Sequence, residues 1–378
     1  MSKKVVLLIS TCFFLILSCK KENSETATVQ KVENSIQHAK GLEIYDYEGY
    51  SVVKVTHPWP KAEGGFTYIL KKKNGIIPDS LQQFTTISVP VKSIIVTSTT
   101  HIPSLEMLGV ENTLVGFPHT DFVSSEKTRA LIDAGKVKNL GQNESINTEV
   151  ALDLNPEVVV GFSIDSNNKT FNNLEKAGLK ILYNGDWTEQ SPLGKAEWLK
   201  FFGALYDKNK EADLLFKQIE KDYTDAVKLV QKTTKKPTAL SGGMFEDIWN
   251  LPQGDSWVAL FMKDANIEYL WKDSKGTGSL ALHFEQVLEK AQNADYWFAP
   301  GMFSSLQEMK EANPHYEQFK AFKNKNIYSV TVKKGAKGGI VYYEQAANRP
   351  DLVLKDLVKI TNPDLLPEHQ LYFFQKLN

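Results

Sequence analysis

From Val91 onward, short apolar runs alternate with stretches in which apolar residues recur at three- and four-residue steps. That is the pattern of buried strands separated by amphipathic helices. Residues 93–97, 114–117, 157–162 and 180–183 are expected strands, and 103–108, 126–134, 149–154 and 171–177 expected helices. Such alternation builds a parallel sheet. One unit occurs twice: Thr148-Glu149-Val150-Ala151-Leu152 precedes Glu157-Val158-Val159-Val160, and Phe284-Glu285-Gln286-Val287-Leu288 precedes Asp295-Tyr296-Trp297-Phe298. In each, a glutamate opens a short helix, leucine follows three residues later, and an acid marks the entry to an apolar run. Its presence in both halves predicts two similar α/β lobes with a cleft between them.

Between the halves, Ala212, Leu215, Phe216, Ile219, Tyr223, Ala226, Val227 and Val230 form a helical stripe with charges around the rest of the turn. A helix of about 24 residues would be roughly 36 Å long, enough to cross from one lobe to the other. Pro237 closes it, and the rhythm resumes at 238–242, 258–263, 328–332 and 352–360, with an aromatic tail at 370–376 expected as an edge strand. Upstream, Tyr45, Tyr47, Val52, Val53, Val55, Phe66, Tyr68 and Ile69 lie in short runs broken by Gly49 and by residues 58–65, which reads as a β-meander. The expected fold is α/β: two Rossmann-like lobes with parallel sheets joined by a long rigid helix, plus an N-terminal β-meander. The expected divisions are 41–205, 206–234 and 235–378.

The first eighteen residues have the form of an export signal, with Lys3 and Lys4 before an apolar run too short for a comfortable membrane span. The run ends in Ile16-Leu17-Ser18-Cys19, which resembles a bacterial lipoprotein cleavage box, so Cys19 is expected to be lipidated and to anchor the chain in the cell envelope. Removal of Cys12 with the signal leaves Cys19 no disulfide partner. Residues 19–40, rich in Lys, Glu, Asn, Ser and Thr, are expected to be a flexible tether. Net charge is −1, which argues against a nucleic-acid partner. Only Arg129 and Arg349 are arginine among 44 basic residues, so each invites a question.

No nucleophile-elbow or phosphate-loop motif occurs, and no catalytic residue or cofactor is expected. His57, His101, His119 and His283 lie near predicted loop or strand ends, where a zinc or manganese site could assemble, but no matched carboxylate is placed by spacing. Other features point to binding. Thr99, Thr100 and His101 follow the first parallel strand, and Phe117 and His119 end the next, at the carboxyl edge where open α/β sheets take ligands. Phe245, Trp249 and Trp257 lie in a region read as glycine-containing loop, and Trp187 and Phe303 follow other strands. Aromatic faces with a few hydroxyl and imidazole groups suit a bulky, partly apolar ligand. Arg349 is expected either to meet a ligand carboxylate or to pair within its lobe.

In Ile94-Ile95-Val96-Thr97-Ser98 leading to Leu105-Glu106-Met107-Leu108-Gly109, in Leu140-Gly141 before Glu149, in residues 152–160, in the helix after Pro192 and in Glu285 before Leu288, the chain resembles substrate-binding proteins of the helical-backbone class, which serve ABC importers for cobalamin, ferric siderophores and haem. The resemblance covers roughly residues 91–360 and rests on order and spacing. It implies a small-molecule ligand in a largely preformed cleft, small lobe motion, and an ABC permease dimer with its ATPase as partner. It also implies that Glu149 and Glu285, one exposed on each lobe, meet arginines of that permease. The meander and the aromatic tail depart from the family pattern. The competing readings are a free-metal binding protein and a metal-dependent enzyme using the same cleft.

Overall fold

The computed structural model describes residues 32–143 and 145–378; the expected signal segment, Cys19 and most of the expected tether lie outside the described residues. The N-terminal lobe is built on a five-stranded parallel sheet in the order Ile181–Tyr183, Val158–Gly161, Ile94–Val96, Leu114–Phe117, Lys138–Asn139. Its central strands are apolar throughout because both faces are covered. Val96, Val160 and Leu182 face a core with Trp198, Phe201 and Phe202, while Ile95, Val159 and Ile181 alternate to the other side, against Phe171 and Leu174.

The C-terminal lobe repeats the design. Glu268–Tyr269, Thr238–Ser241, Tyr296–Phe298 and Ile327–Ser329 run parallel, and Gln375–Lys376 closes the edge antiparallel. The expected edge strand of the tail is thus only two residues long. The region around Phe245 and Trp249 is not the expected loop. Gly243–Phe245, Ile248–Pro252 and Ser279–His283 form a three-stranded antiparallel sheet, in which alternation turns Trp249 and Leu251 inward. Trp249 stacks on Trp297 with ring centroids 5.1 Å apart, and Tyr316 and Phe319 close the cluster.

Asn209–Val230 is the linking helix, 22 residues and so roughly 33 Å long. Its buried stripe is shared between the lobes: Ala212 enters the N-terminal core, whereas Tyr223, Ala226 and Val230 enter the C-terminal one. At Gly203 the helix Leu199–Leu205 approaches so closely that a Cβ would collide with Ala212. One rod therefore carries side chains of both cores.

The meander strands Leu42–Asp46, Tyr50–Val55 and Phe66–Lys71 are antiparallel, and a fourth strand that periodicity did not reveal, Thr85–Ser88, pairs parallel with the third. Ile44, Val53, Val55, Leu70 and Ile87 share the N-terminal lobe's core, and the Tyr183 amide donates to the Tyr68 hydroxyl at 2.9 Å. The last residues of the expected flexible tether are fixed. The buried Glu197 carboxylate accepts the amides of Gln37, His38 and Ala39 at 2.6–3.1 Å and pairs with Lys200 at 3.0 Å. Glu189 accepts those of Lys40 and Gly41 and the Trp198 indole N–H. Composition is blind to such a clamp, because its acceptors lie about 150 residues away.

Deleting one partner of a buried charge network leaves the remaining donors and Lys200 unpaired, at a cost of roughly 3–5 kcal/mol. Glu197→Ala is expected to lower urea-unfolding stability by that order and to expose residues 34–41 to limited proteolysis. Unchanged stability and protection would contradict the clamp.

Candidate functional site

Both sheets point their carboxyl ends at one region. A hollow of about 200 Å³ is lined by Ser98, Thr100, Phe162, Asp186, Trp187 and Lys195 on one side and by Trp257, Tyr342, Tyr343 and Ala347 on the other. Ser98, Phe162 and Asp186 each follow a strand of the N-terminal sheet within a few residues. Trp257, Tyr342 and Tyr343 also border a second hollow of about 360 Å³ within the C-terminal lobe, whose walls include Leu251, Phe261, Met262, Phe298 and Phe374. The cleft thus has an N-terminal wall in which polar groups stand beside Phe162 and Trp187, and an aromatic, apolar C-terminal one.

The polar groups of the N-terminal wall are prearranged. Thr100 Oγ1 donates to Asp186 Oδ2 at 2.8 Å and lies 2.9 Å from Ser98 Oγ, while the Asp186 amide donates to Asn184 Oδ1. Lys195 Nζ donates to the carbonyls of Asp186 and Trp187, both at 3.1 Å, and lies 5.3 Å from the Trp257 ring centroid on the opposite side. Burial draws the Lys195 ammonium below its ordinary range, opposed by Asp186 and Glu189. His101 is fully buried against Phe202 behind the Thr99–His101 turn, with no hydrogen bond to either ring nitrogen among the described residues. Burial lowers its basicity, with Asp186 acting the other way, so a neutral ring is favoured.

The lobes meet beside this cleft. Glu344, 1% exposed, accepts the amides of Ser124 and Ser125 at 2.6 and 3.0 Å. Asn348 accepts from Ser104 Oγ and donates to the Thr100 carbonyl, both at 2.7 Å. At Gly339 the backbone passes so close to the Phe122 carbonyl that no side chain would fit. Glu106, bonded to Ser125 and Thr128, adds a second carboxylate. The Glu344 carboxyl is pushed up to about 7, by burial first and by Glu106 in addition, against the amides that favour its charge.

Of the residues expected to contact ligand, Thr100, Trp187 and Trp257 line the cleft. Thr99 shares the Thr100 turn without lining the hollow, and His101 is sealed behind it. Phe117 and Trp249 belong to the two cores, Phe117 on a strand covered on both faces and Trp249 on the inward alternation of its strand. His119 packs on Phe122, Phe303 on Tyr316, and Phe245 is 73% exposed beside the turn between two strands of the antiparallel sheet. Arg349 pairs through two nitrogens with Asp351 at 2.9 and 2.8 Å, at the start of the helix Pro350–Thr361; this contact holds its own lobe. Phe162, Asp186, Lys195, Tyr342 and Tyr343 were not anticipated. Asp186 beside Trp187, and the adjacent tyrosines after a glycine-rich turn, were the available signals.

Glu149 and Glu285 are both exposed. Each lies in the first turn of a helix, Thr148–Leu154 or Phe284–Ala291, that leads into a strand of its parallel sheet. A helix that precedes a parallel strand starts at the sheet's carboxyl edge, so the two acids occupy corresponding places. His57, His101, His119 and His283 are not assembled, and no group of three or more His, Cys, Asp and Glu is placed to hold a metal ion among the described residues.

Residues 94–332 match the sequence profile of the family described as periplasmic binding protein. An uncharacterized lipoprotein of Methanocaldococcus jannaschii is 27% identical over 329 residues, spanning 83% of this chain and 77% of the relative. Among solved structures, a possible iron-binding, periplasmic solute-binding protein of Staphylococcus epidermidis aligns with TM-score 0.56 and 18% identity, over 72% of this chain and 99% of that one. A periplasmic heme-binding protein of Vibrio cholerae aligns with TM-score 0.54 and 18% identity, over 70% and 99%.

The raised Glu344 value carries a pH dependence with a definite sign. Unfolding or lobe separation returns the carboxyl toward its ordinary value of 4.5. Between there and about 7 the closed state holds a proton that the open state has lost, so stability is greatest below this window and falls as pH rises through it. Urea unfolding of wild type, with Glu344→Gln as reference, is expected to show this loss on the order of 3 kcal/mol. An identical pH slope in both proteins would refute the assignment.

Proposed function

Because the chain belongs to the periplasmic binding protein family, we propose that it is the solute receptor of an ABC importer, taking an iron complex or a corrinoid into the cleft between its lobes. The observation that carries this reading is the lining: Phe162 and Trp187 from one lobe border the same hollow as Trp257, Tyr342 and Tyr343 from the other. Such a cleft offers aromatic surface on both sides of a bulky guest and a few fixed polar groups to orient it. The iron-binding and heme-binding proteins that share the fold make those ligands the first to test.

Charge narrows the choice. Lys195 is the one cation lining the hollow among the described residues, and its hydrogens already serve two carbonyls, while Asp186 contributes a carboxylate. A complex of low net charge, such as a corrinoid or a neutral hydroxamate chelate, is favoured over a multiply anionic one. Delivery follows from Glu149 and Glu285, which stand at the carboxyl edges of the two sheets and would each meet a basic group of the permease. Exposed pairs contribute only about 0–1 kcal/mol, but pairs desolvated at an interface couple by roughly 1.5–7 kcal/mol. Lipid on Cys19 would hold the receptor at the membrane, since two or three acyl chains anchor firmly where one is marginal.

Thermal unfolding with cyanocobalamin, a ferric hydroxamate, ferric citrate, haem and zinc tests the ligand class. A true ligand at about 100 times its Kd adds roughly 2.7 kcal/mol. Trp257→Ala is expected to weaken that ligand's binding about ten-fold or more. Stabilisation by zinc alone would overturn the reading. Glu149→Lys with Glu285→Lys is expected to leave ligand affinity unchanged and abolish uptake into permease-containing vesicles. Normal uptake would remove the docking role.

A further inference from the structure

The meander does more than cover the N-terminal lobe. Its second and third strands are joined by a loop that is seated against the lobe: Thr188 Oγ1 donates to the His57 carbonyl at 3.2 Å, and Gly185 leaves no room for a side chain beside that same carbonyl. The loop brings Trp59 and the following Phe66 against Tyr183. Phe66 and Tyr183 stack with centroids 4.5 Å apart, and Trp59 meets them edge-on at 5.8 and 5.5 Å. Beside this triad lies a hollow of about 590 Å³ that shares no lining residue with the inter-lobe cleft. Glu63, Asp165 and Glu175 edge it, with Lys61 as its one cation and Asn172 as a neutral donor and acceptor.

We propose that this hollow is a second ligand site, for a small organic ammonium held against the aromatic triad and balanced by the carboxylates of Glu63, Asp165 and Glu175. Tyr183 points to an occupant independently of the acids. It is 6% exposed and lines the hollow, yet its hydroxyl makes no hydrogen bond among the described residues. Burial first, and then Glu175, push that phenol up to about 12, so it stays protonated and offers a donor to a hydroxyl on the guest. Three carboxylates against one lysine give the rim a net negative charge, and ring faces attract cations through their quadrupoles. An amino alcohol satisfies the aromatic surface, the charge and the phenol together. Trp59, Lys61, Glu63 and Phe66 all precede residue 94, so the site depends on the part of the chain outside the family match.

Titration calorimetry of the folded chain with choline, with its uncharged isostere 3,3-dimethylbutan-1-ol and with glucose tests the proposal. Choline is expected to bind one to one, and the isostere roughly ten-fold more weakly. Trp59→Ala and Glu175→Gln are each expected to weaken choline several-fold, with far-ultraviolet circular dichroism and the affinity of the inter-lobe cleft unchanged. Equal binding of choline and the isostere, binding of glucose in their place, no binding of choline, or choline binding indifferent to both substitutions would each overturn it.

Discussion

Buried carboxylates that accept backbone amides from distant parts of the chain hold this molecule in one arrangement. Glu197 and Glu189 capture residues 37–41, Glu344 captures Ser124 and Ser125 of the opposite lobe, and Asp356 captures the amides of Tyr372, Phe373 and Phe374 together with the His369 ring. A chain with two arginines has few guanidinium partners for its buried acids, and amide donors take their place. Each acid, if lost, leaves buried amide donors without a partner. The fold is therefore stitched at four points, three by acids whose partners lie about 150 residues or more away and the fourth by Asp356, which ties the tail of its own lobe.

The consequence for the cleft is geometric. Glu344 and Asn348 bind the lobes directly, and the linking helix contributes side chains to both cores. Opening the cleft would break buried hydrogen bonds on one side and shear a rigid rod on the other. Such a frame favours a guest that fits the existing space over one that must be enclosed by domain closure. On the proposed reading, the aromatic wall and the committed Lys195 then favour a body with apolar faces and little net charge. The acids on Thr148–Leu154 and Phe284–Ala291 stand at a spacing that the frame keeps constant, so a partner reading both would read a fixed distance.

Elements whose cause is local were legible in the residue pattern. The repeated helix and strand, the linking helix and the first three meander strands emerged close to their observed bounds, because periodicity and turn residues alone specify them. Glu149 and Glu285 stood out because they recur in equivalent places. The cleft was only partly legible. Thr100 and Trp187 were found by position after strands and Trp257 as an aromatic in a glycine-containing region, whereas Tyr342 and Tyr343 arrive from a segment that folds back across the other lobe, a return that the glycine-rich turn before them does not specify. Trp249 was misplaced because a short antiparallel strand and an aromatic loop look alike over five residues. The carboxylate ties were invisible for the same reason as the cleft tyrosines: their meaning lies in separations of up to about 220 residues.

Whether the lobes stand at one distance with or without a guest is read by electron–electron double resonance between nitroxides on exposed faces of the two lobes. With labels at Lys176→Cys and Glu311→Cys, and Cys12 and Cys19 replaced by serine, a rigid frame gives a single narrow distance distribution that does not move when ligand is added. A broad distribution in the free protein, or a shift of many ångströms on binding, would contradict it.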